Sequence, residues 1–210
     1  MKKNTSPLQC NTFYHIYNRG INKENIFKEE KNYDFFLEKY IKYIQPVAAT
    51  YAYSLLKNHF HLLILTRSEE EVRNSYSLKK AYSTGDLISK KFSHLFNSYA
   101  QAINKSFKRT GGLFETPFRR IAVNNDHYLT QLIYYIHFNA QKHDFVNDFT
   151  IYNHSSYPIY LNNKTTFLAR SSGIEWFGNK EFFINQHREW AREKLLSSNV
   201  IFTDFENDIR

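Results

Sequence analysis

The sequence is poor in residues that build disulfide or zinc-finger scaffolds, since its 210 residues include a single cysteine, Cys10. One thiol cannot close an internal disulfide, and it provides no pair of cysteines with zinc-finger spacing. Long apolar runs are also absent: Met1-Lys2-Lys3 is followed by polar residues instead of the apolar part of a secretion signal, and no stretch approaches a membrane span. We therefore expect a soluble protein of the reducing cytoplasm with no membrane association.

The composition favours a polyanionic partner. The formal net charge is +8 and the pI is about 9.4, which fits either nucleic acid or an anionic membrane surface. The 16 Tyr and 19 Phe residues suit stacking on unpaired bases, although aromatic side chains also fill hydrophobic cores. The length allows one domain of ordinary size with an appendage.

The segment Asn58-His59-Phe60-His61-Leu62-Leu63-Ile64-Leu65 places two histidines at the start of a strand-like apolar run. On a strand, His59 and His61 project to one face and Phe60 to the other. Two neutral imidazoles side by side can hold a divalent ion. Taken alone, the pair is better explained as two polar positions on a solvated sheet face.

Hydrophobic periodicity predicts an α+β fold. Strand patterns cover residues 12–19, 47–56, 59–66 and 117–123, and helical patterns cover about 31–44, 86–109, 125–140 and 180–196. Residues 67–85 lack a period and are predicted to form a long loop or a partly ordered insertion. This order predicts a ferredoxin-like antiparallel sheet with packed helices, one extra helix and a C-terminal helical tail.

The helix predicted at 125–140 carries Tyr135 and Asn139 four residues apart, and therefore on one face. If that face meets the strand of His59 and His61, two imidazoles, an amide oxygen and a phenol surround one point. A divalent ion can polarise a phosphoryl oxygen, and a tyrosine hydroxyl can attack phosphorus to form a covalent phosphotyrosine. Nearby positive charge would help a phenol of pKa about 10 to act near neutral pH.

Five segments in order carry a resemblance to a known family. They are Tyr14-His15-Ile16-Tyr17-Asn18-Arg19-Gly20, Asn58-His59-Phe60-His61-Leu62-Leu63, Gly112-Leu113-Phe114-Glu115 through Phe118-Arg119, Tyr135-Ile136-His137-Phe138-Asn139, and Ser155-Ser156-Tyr157. Together they span roughly residues 12 to 161. With them the sequence resembles the single-tyrosine HUH transposases, and most closely the branch of REP-associated tyrosine transposases.

This resemblance implies a nuclease domain over residues 1–161 and a C-terminal extension with a helix over residues 162–210. It also implies Mg²⁺ or Mn²⁺ held by His59, His61 and Asn139, with Tyr135 as the nucleophile. The substrate would be single-stranded DNA bearing a hairpin of a palindromic repeat, cut to leave a 5′-phosphotyrosine and a free 3′-hydroxyl. Glu115 is a candidate for a position near the metal.

We expect DNA contacts from several polar and basic residues. Asn18 and Arg19 are implied by the resemblance, and the basic strand and helix add further candidates: Arg119, Arg120, Lys90 and Lys91. For the lysines of the helix at 86–109, a solvated face is an equally good explanation. His137 and His143 are interpreted as packing or surface residues. Family members include monomers and dimers, so a homodimer stays open.

Two other functions fit the same residues. A domesticated protein could recognise hairpin DNA without cutting it, although the retained His59, His61, Tyr135 and Asn139 argue against such decay. A replication or conjugation initiator with the same histidine chemistry is disfavoured, because such proteins usually need helicase or partner domains that this chain lacks. All of these functions predict salt-dependent binding to DNA.

Overall fold

The computed structural model describes residues 7–79 and 81–196, without the side chains of residues 126, 127 and 194–196. Met1-Lys2-Lys3 and the end of the predicted extension, residues 197–210, lie outside the described residues. Within them the strands are β1 (Phe13–Arg19), β2 (Ala48–Leu56), β3 (His59–Thr66) and β4 (Arg119–Val123). The helices are α1 (Glu30–Ile44), α2 (Glu69–Tyr76), α3 (Thr84–Ser106), α4 (Asp126–Lys142), α5 (Tyr157–Leu161), α6 (Arg170–Glu175) and α7 (Lys180–Leu196).

The described strands form one sheet in the order β2-β3-β1-β4, with antiparallel pairing throughout. A two-residue turn at Lys57 and Asn58 joins β2 to β3, because Leu56 lies opposite His59. The chain crosses from β1 through α1 to β2 and from β3 through α3 to β4, as in a ferredoxin-like fold. The structure therefore confirms the predicted α+β fold class.

One face of the sheet carries an aromatic core under α1 and α3. Phe60 of β3 is fully buried, with its ring centroid 5.3 Å from that of Phe36 on α1 and 5.7 Å from that of Phe96 on α3. Tyr40 of α1 and Thr50 of β2 add a hydroxyl–hydroxyl hydrogen bond of 2.7 Å to this layer. The large share of aromatic residues thus serves the core to a considerable extent.

Helix α4 packs on the opposite face of the sheet and is itself covered. Every residue from 132 to 140 is buried. A helix is buried on all sides only when other elements pack around it. Tyr134 points away from the sheet toward α7, with its ring centroid 5.1 Å from that of Trp190. Residues after α4 also cover the free edge of β2, through bridges from Ser155 to Ser54 and from Leu168 to Thr50.

A chain of hydrogen bonds ties α4 to α7 in this buried layer. His187 Nδ1 lies 2.7 Å from the carbonyl oxygen of Phe183, and a carbonyl can only accept, so His187 donates there. Burial lowers the pKa of His187 to about 3 and that of His137 well below its ordinary value, so both rings are neutral at pH 7. His137 Nδ1 must then donate to His187 Nε2 at 3.0 Å, and the hydroxyl of Ser156 must donate to His137 Nε2 at 2.7 Å.

The structure differs from the predicted elements most clearly in residues 67–85. Instead of a long loop, this segment contains α2, whose first turn is fixed by a reciprocal capping box between Ser68 and Glu71. Only Val72 of α2 is buried, so the helix has no apolar period that a pattern search could find. Helix α3 begins after its cap Ser83 and ends before Phe107, slightly earlier at both ends than predicted.

Residues beyond the predicted domain boundary at 161 contact those before it. The rings of Tyr160 and Phe183 stack with centroids 4.7 Å apart, and Trp176 stacks on Tyr51 of β2 at 4.6 Å. The division into a domain and an extension stays a prediction. In the described part of the chain, none of the helices is both long enough and apolar enough for a membrane crossing.

We expect Phe183→Ala to lower the free energy of unfolding by about 3–5 kcal/mol, because Phe183 of α7 is fully buried against α4 and α5. Phe182→Ala is the matched control, since Phe182 is 58% exposed and should change stability by less than about 0.5 kcal/mol. Urea unfolding followed by circular dichroism measures both. If α7 were an independent unit, Phe183→Ala would leave the main unfolding transition of the sheet unchanged.

Candidate active site

Strand β3 brings two imidazoles to the face of the sheet that α4 covers. His61 is 1% exposed, and His59 is partly buried at the end of the strand. His59 Nδ1 lies 2.7 Å from Oδ1 of Asn58. Because an amide oxygen only accepts, His59 carries its hydrogen on Nδ1 and keeps a lone pair on Nε2.

Helix α4 supplies a phenol and an amide to the same place. The ring of Tyr135 stands edge-on to that of His61, with centroids 5.6 Å apart. One turn later, Asn139 Nδ2 donates to the carbonyl oxygen of Tyr135 at 3.0 Å. This bond orients the amide and leaves Oδ1 of Asn139 buried without a hydrogen-bond partner.

Burial keeps the imidazoles of this face neutral. It lowers the pKa of His59 to about 3, assisted by electrostatic interaction with His143 and opposed by interaction with the Asn139 side chain. Burial likewise lowers the pKa of His61 well below its ordinary value, with neighbouring imidazoles adding to the effect. A neutral imidazole keeps a lone pair on one ring nitrogen, and this is the form of histidine that binds metal ions.

The residues that meet here could hold a cation. His61 Nε2 and Asn139 Oδ1 are both buried without a hydrogen-bond partner, which normally carries an energetic cost. His59 adds a third electron-pair donor. Among the described residues no group of three or more His, Cys, Asp or Glu side chains is arranged for a metal, so the candidate set depends on the amide of Asn139.

A cavity of about 390 Å³ opens beside His59, His61 and Tyr135, while Asn139 lies buried behind it. Four of its lining residues are basic, and one is acidic: Arg19, Lys23, Arg119, Lys142 and Glu115. The other lining residues are Tyr17, Asn18, Asn58, His59, Phe60, His61, Tyr135 and His143. The excess of positive charge makes the cavity suited to a polyanion.

Contacts at the end of β1 stabilise the rim of the cavity. Arg19 Nε lies 2.5 Å from Oε1 of Glu115, and the Glu115 amide donates to the Arg19 carbonyl at 2.9 Å. The next residue must be glycine, because a Cβ at Gly20 would lie 2.1 Å from the carbonyl oxygen of Glu24. The predicted residue Glu115 therefore borders the cavity as the ion-pair partner of Arg19.

The predicted DNA-contacting residues fall in different places. Asn18, Arg19 and Arg119 line the cavity, although Asn18 is only 4% exposed. Arg120 projects to the other face of the sheet, because neighbouring residues on a strand alternate. There it stacks 4.2 Å from the ring centroid of Phe118 and donates to the hydroxyl of Ser89 on α3.

Lys90 and Lys91 lie on α3 and are not among the residues that line the cavity. Lys90 is exposed, whereas Lys91 is partly buried with Nζ 3.8 Å from the ring centroid of Tyr76. The structure thus brings the predicted metal ligands and nucleophile together with Arg19, Arg119 and Glu115. It places Arg120, Lys90 and Lys91 elsewhere.

The sequence patterns do not identify several residues of the site. Lys142 Nζ lies 5.1 Å from the ring centroid of Tyr135, and the rings of His143 and His59 have centroids 4.9 Å apart. An extension of the helical spacing from Tyr135 by two turns would have found Lys142. His15 and Tyr17 of β1 share the face of His61, a placement that becomes visible only once β1 is known to pair with β3.

Comparison with solved structures finds a REP-associated tyrosine transposase bound to a REP hairpin, with a TM-score of 0.57 and 12% sequence identity. The match covers 77% of the present chain and 85% of the other. The two chains share a fold. No family model matches the sequence, and no curated protein matches it either.

We expect stability to fall as the pH is lowered from about 7 to about 5.5. The pKa of both His15 and His187 is about 3 in the folded chain against an ordinary 6.5, so below pH 6.5 the unfolded chain binds protons that the folded chain excludes. The stability is complete above about 6.5 and decreases toward pH 3, by about 1.4 kcal/mol per pH unit for each such histidine.

Urea unfolding at several pH values measures this dependence. His187→Gln should reduce the pH slope, because it removes one of the buried imidazoles whose pKa is lowered. An equal free energy of unfolding at pH 7 and 5.5 would contradict the burial of neutral imidazoles.

Proposed function

We propose that this chain is a metal-dependent single-stranded DNA endonuclease and strand transferase that uses Tyr135 as its nucleophile. It would act as a transposase, nicking and joining DNA beside a hairpin. The observation that carries this proposal is the contact of Tyr135 on α4 with His61 on β3 in a basic cavity, with Asn139 hydrogen-bonded to Tyr135 one turn along the helix. The shared fold with a hairpin-bound tyrosine transposase supports the same function.

The residues present fit a divalent metal such as Mg²⁺ or Mn²⁺. His59, His61 and Asn139 would hold it through two ring nitrogens and an amide oxygen, of which His61 Nε2 and Asn139 Oδ1 are buried without partners. When bound, such an ion polarises a phosphoryl oxygen and offsets the negative charge that develops on the phosphate. Glu115 is paired with Arg19 at the rim, where its carboxylate limits the positive charge near this set.

The reaction proposed for Tyr135 is a transesterification. Its phenolic oxygen forms a bond to the scissile phosphorus and gives up its proton, while the bond from phosphorus to the 3′-oxygen breaks and that oxygen takes up a proton. The products are a 5′-phosphotyrosine and a 3′-hydroxyl, so no water or nucleotide cofactor is consumed. The positive charge of Lys142 beside the ring of Tyr135 favours the negative charge that forms on the phenolic oxygen.

The buried position of Tyr135 limits access to its hydroxyl. Only 1% of the residue is exposed, and it lines the cavity together with His61 and Lys142. A phosphodiester would therefore approach through the cavity, where the walls exclude much of the water that could hydrolyse a covalent intermediate. The burial of Tyr135 is equally consistent with the alternative function, which is binding of hairpin DNA without cleavage.

DNA is proposed to enter along the basic rim. Arg19, Lys23 and Arg119 would contact phosphates, with Asn18 also in the lining of the cavity. Lys90 and Lys91 on α3, with Arg120 below them, remain candidates for a second contact with the hairpin stem. A homodimer is compatible with this arrangement, since each chain contains all residues of the proposed site.

We expect Tyr135→Phe to abolish covalent attachment to a single-stranded hairpin oligonucleotide, because the variant lacks the attacking oxygen. Denaturing gel electrophoresis of a labelled oligonucleotide detects the adduct. Tyr134→Phe is the matched control, because Tyr134 is the adjacent buried tyrosine but faces α7. It should form the adduct at a rate close to that of the unmodified protein.

Chelation separates the two functions. With EDTA the proposed enzyme loses cleavage and retains DNA binding, and added Mg²⁺ or Mn²⁺ restores cleavage. Efficient covalent capture by Tyr135→Phe would exclude Tyr135 as the nucleophile. Tight hairpin binding without an adduct under any metal condition would favour the non-cleaving binding protein.

We expect Arg119→Gln to weaken binding of single-stranded DNA and to reduce the salt slope of the logarithm of the affinity by about one, because one phosphate contact is lost. Fluorescence anisotropy at several salt concentrations measures this slope. Lys164→Gln is the control, since Lys164 is an exposed lysine outside the cavity. If Lys90→Gln lowered the slope and Arg119→Gln did not, the DNA would follow α3 instead of the cavity.

A further inference from the structure

His15 of β1 makes a direct contact with His61 that the proposed reaction does not use. His15 Nε2 lies 2.9 Å from His61 Nδ1, and the two residues are 0% and 1% exposed. In the pairing of β1 with β3, Tyr17 lies opposite His61, so His15 is the diagonal neighbour of His61 on the same face. Both imidazoles are therefore fixed by the strands that carry them.

The contact requires a choice between two proton arrangements. In a hydrogen bond between two ring nitrogens, one nitrogen must donate and the other must accept. If His15 donated, His61 would carry its own hydrogen on Nε2, which is buried without a hydrogen-bond partner. If His61 Nδ1 donates, its Nε2 keeps a lone pair, and that buried atom, like Oδ1 of Asn139, has no hydrogen-bond partner.

Only the second arrangement is compatible with metal binding, because a protonated ring nitrogen cannot coordinate a cation. The ring is also held in orientation. His15 and Tyr17 lie nearly parallel to it, with centroid distances of 5.2 and 5.7 Å, and Tyr135 meets it edge-on at 5.6 Å. These contacts restrict rotation of the His61 ring away from the cavity.

We propose that His15 is a positioning residue that accepts a hydrogen bond from His61 Nδ1 and thereby keeps the Nε2 lone pair of His61 directed at the metal position. This inference rests on the proposed metal site. His15 itself binds neither metal nor DNA in this scheme. Loss of such an outer partner of a metal-binding histidine typically weakens metal affinity by about 10–100-fold.

The proton arrangement can be measured without any metal. A long-range proton–nitrogen NMR spectrum of the imidazoles distinguishes a ring protonated on Nδ1 from one protonated on Nε2. We expect His61, identified by the loss of its signals in His61→Gln, to carry its hydrogen on Nδ1. A hydrogen on Nε2 of His61 would overturn the inference, whatever the result with metals.

Metal affinity provides the second test, with Mn²⁺ as the probe and calorimetry as the measurement. His15→Leu removes the acceptor and should weaken Mn²⁺ binding by about 10–100-fold. His15→Gln offers an amide oxygen in place of Nε2 and should restore the affinity to within about threefold of the unmodified protein. His94→Leu, which removes an exposed histidine of α3 outside the cavity, should leave Mn²⁺ affinity unchanged.

The outcomes separate this inference from the proposed function. If the unmodified protein does not bind Mn²⁺, the proposed metal site fails, while NMR still decides the proton arrangement. If it binds and His15→Leu binds as tightly, or His15→Gln is as weak as His15→Leu, His15 is a packing residue and the inference fails. Should His15→Leu not fold, the Gln variant and the NMR spectrum still decide.

Discussion

The alternation of side chains along β3 is the constraint on which the candidate site depends. Phe60 is fully buried beneath α1 and α3, so His59 and His61 must project to the face covered by α4. A shift of one residue in the pairing of β3 would bury both imidazoles in the aromatic core and expose Phe60 to the cavity. The burial of one aromatic ring therefore also places the two proposed ligands.

The parts of the site that lie within a single element could be predicted from the sequence. A period of two places His59 and His61 on one face, and an offset of four residues does the same for Tyr135 and Asn139. The order of the elements is also a sequence property, which is why the fold class could be predicted. Patterns of this kind need no knowledge of which elements become neighbours.

The remaining features depend on contacts between distant segments. Predicted DNA contacts at both Arg119 and Arg120 neglect that the two side chains lie on opposite faces of β4, where Arg120 meets Ser89 of α3 and Arg119 lines the cavity. The contact of His15 with His61 requires β1 to lie beside β3, 46 residues away in sequence. Helix α2 is specified by its cap and a single buried valine, which produce no periodic signal.

The hydrogen-bonded chain behind α4 fixes how far this helix can slide along its own axis. Apolar packing tolerates small translations, whereas the bonds from Ser156 to His137 and from His137 to His187 each need a particular distance and direction. Ser156 is in turn anchored to the backbone of Tyr53 on β2, whose amide donates to the Ser156 hydroxyl and whose carbonyl accepts from the Ser156 amide. The position of Asn139 along the helix axis is thus fixed by hydrogen bonds on the side of α4 that faces away from the cavity.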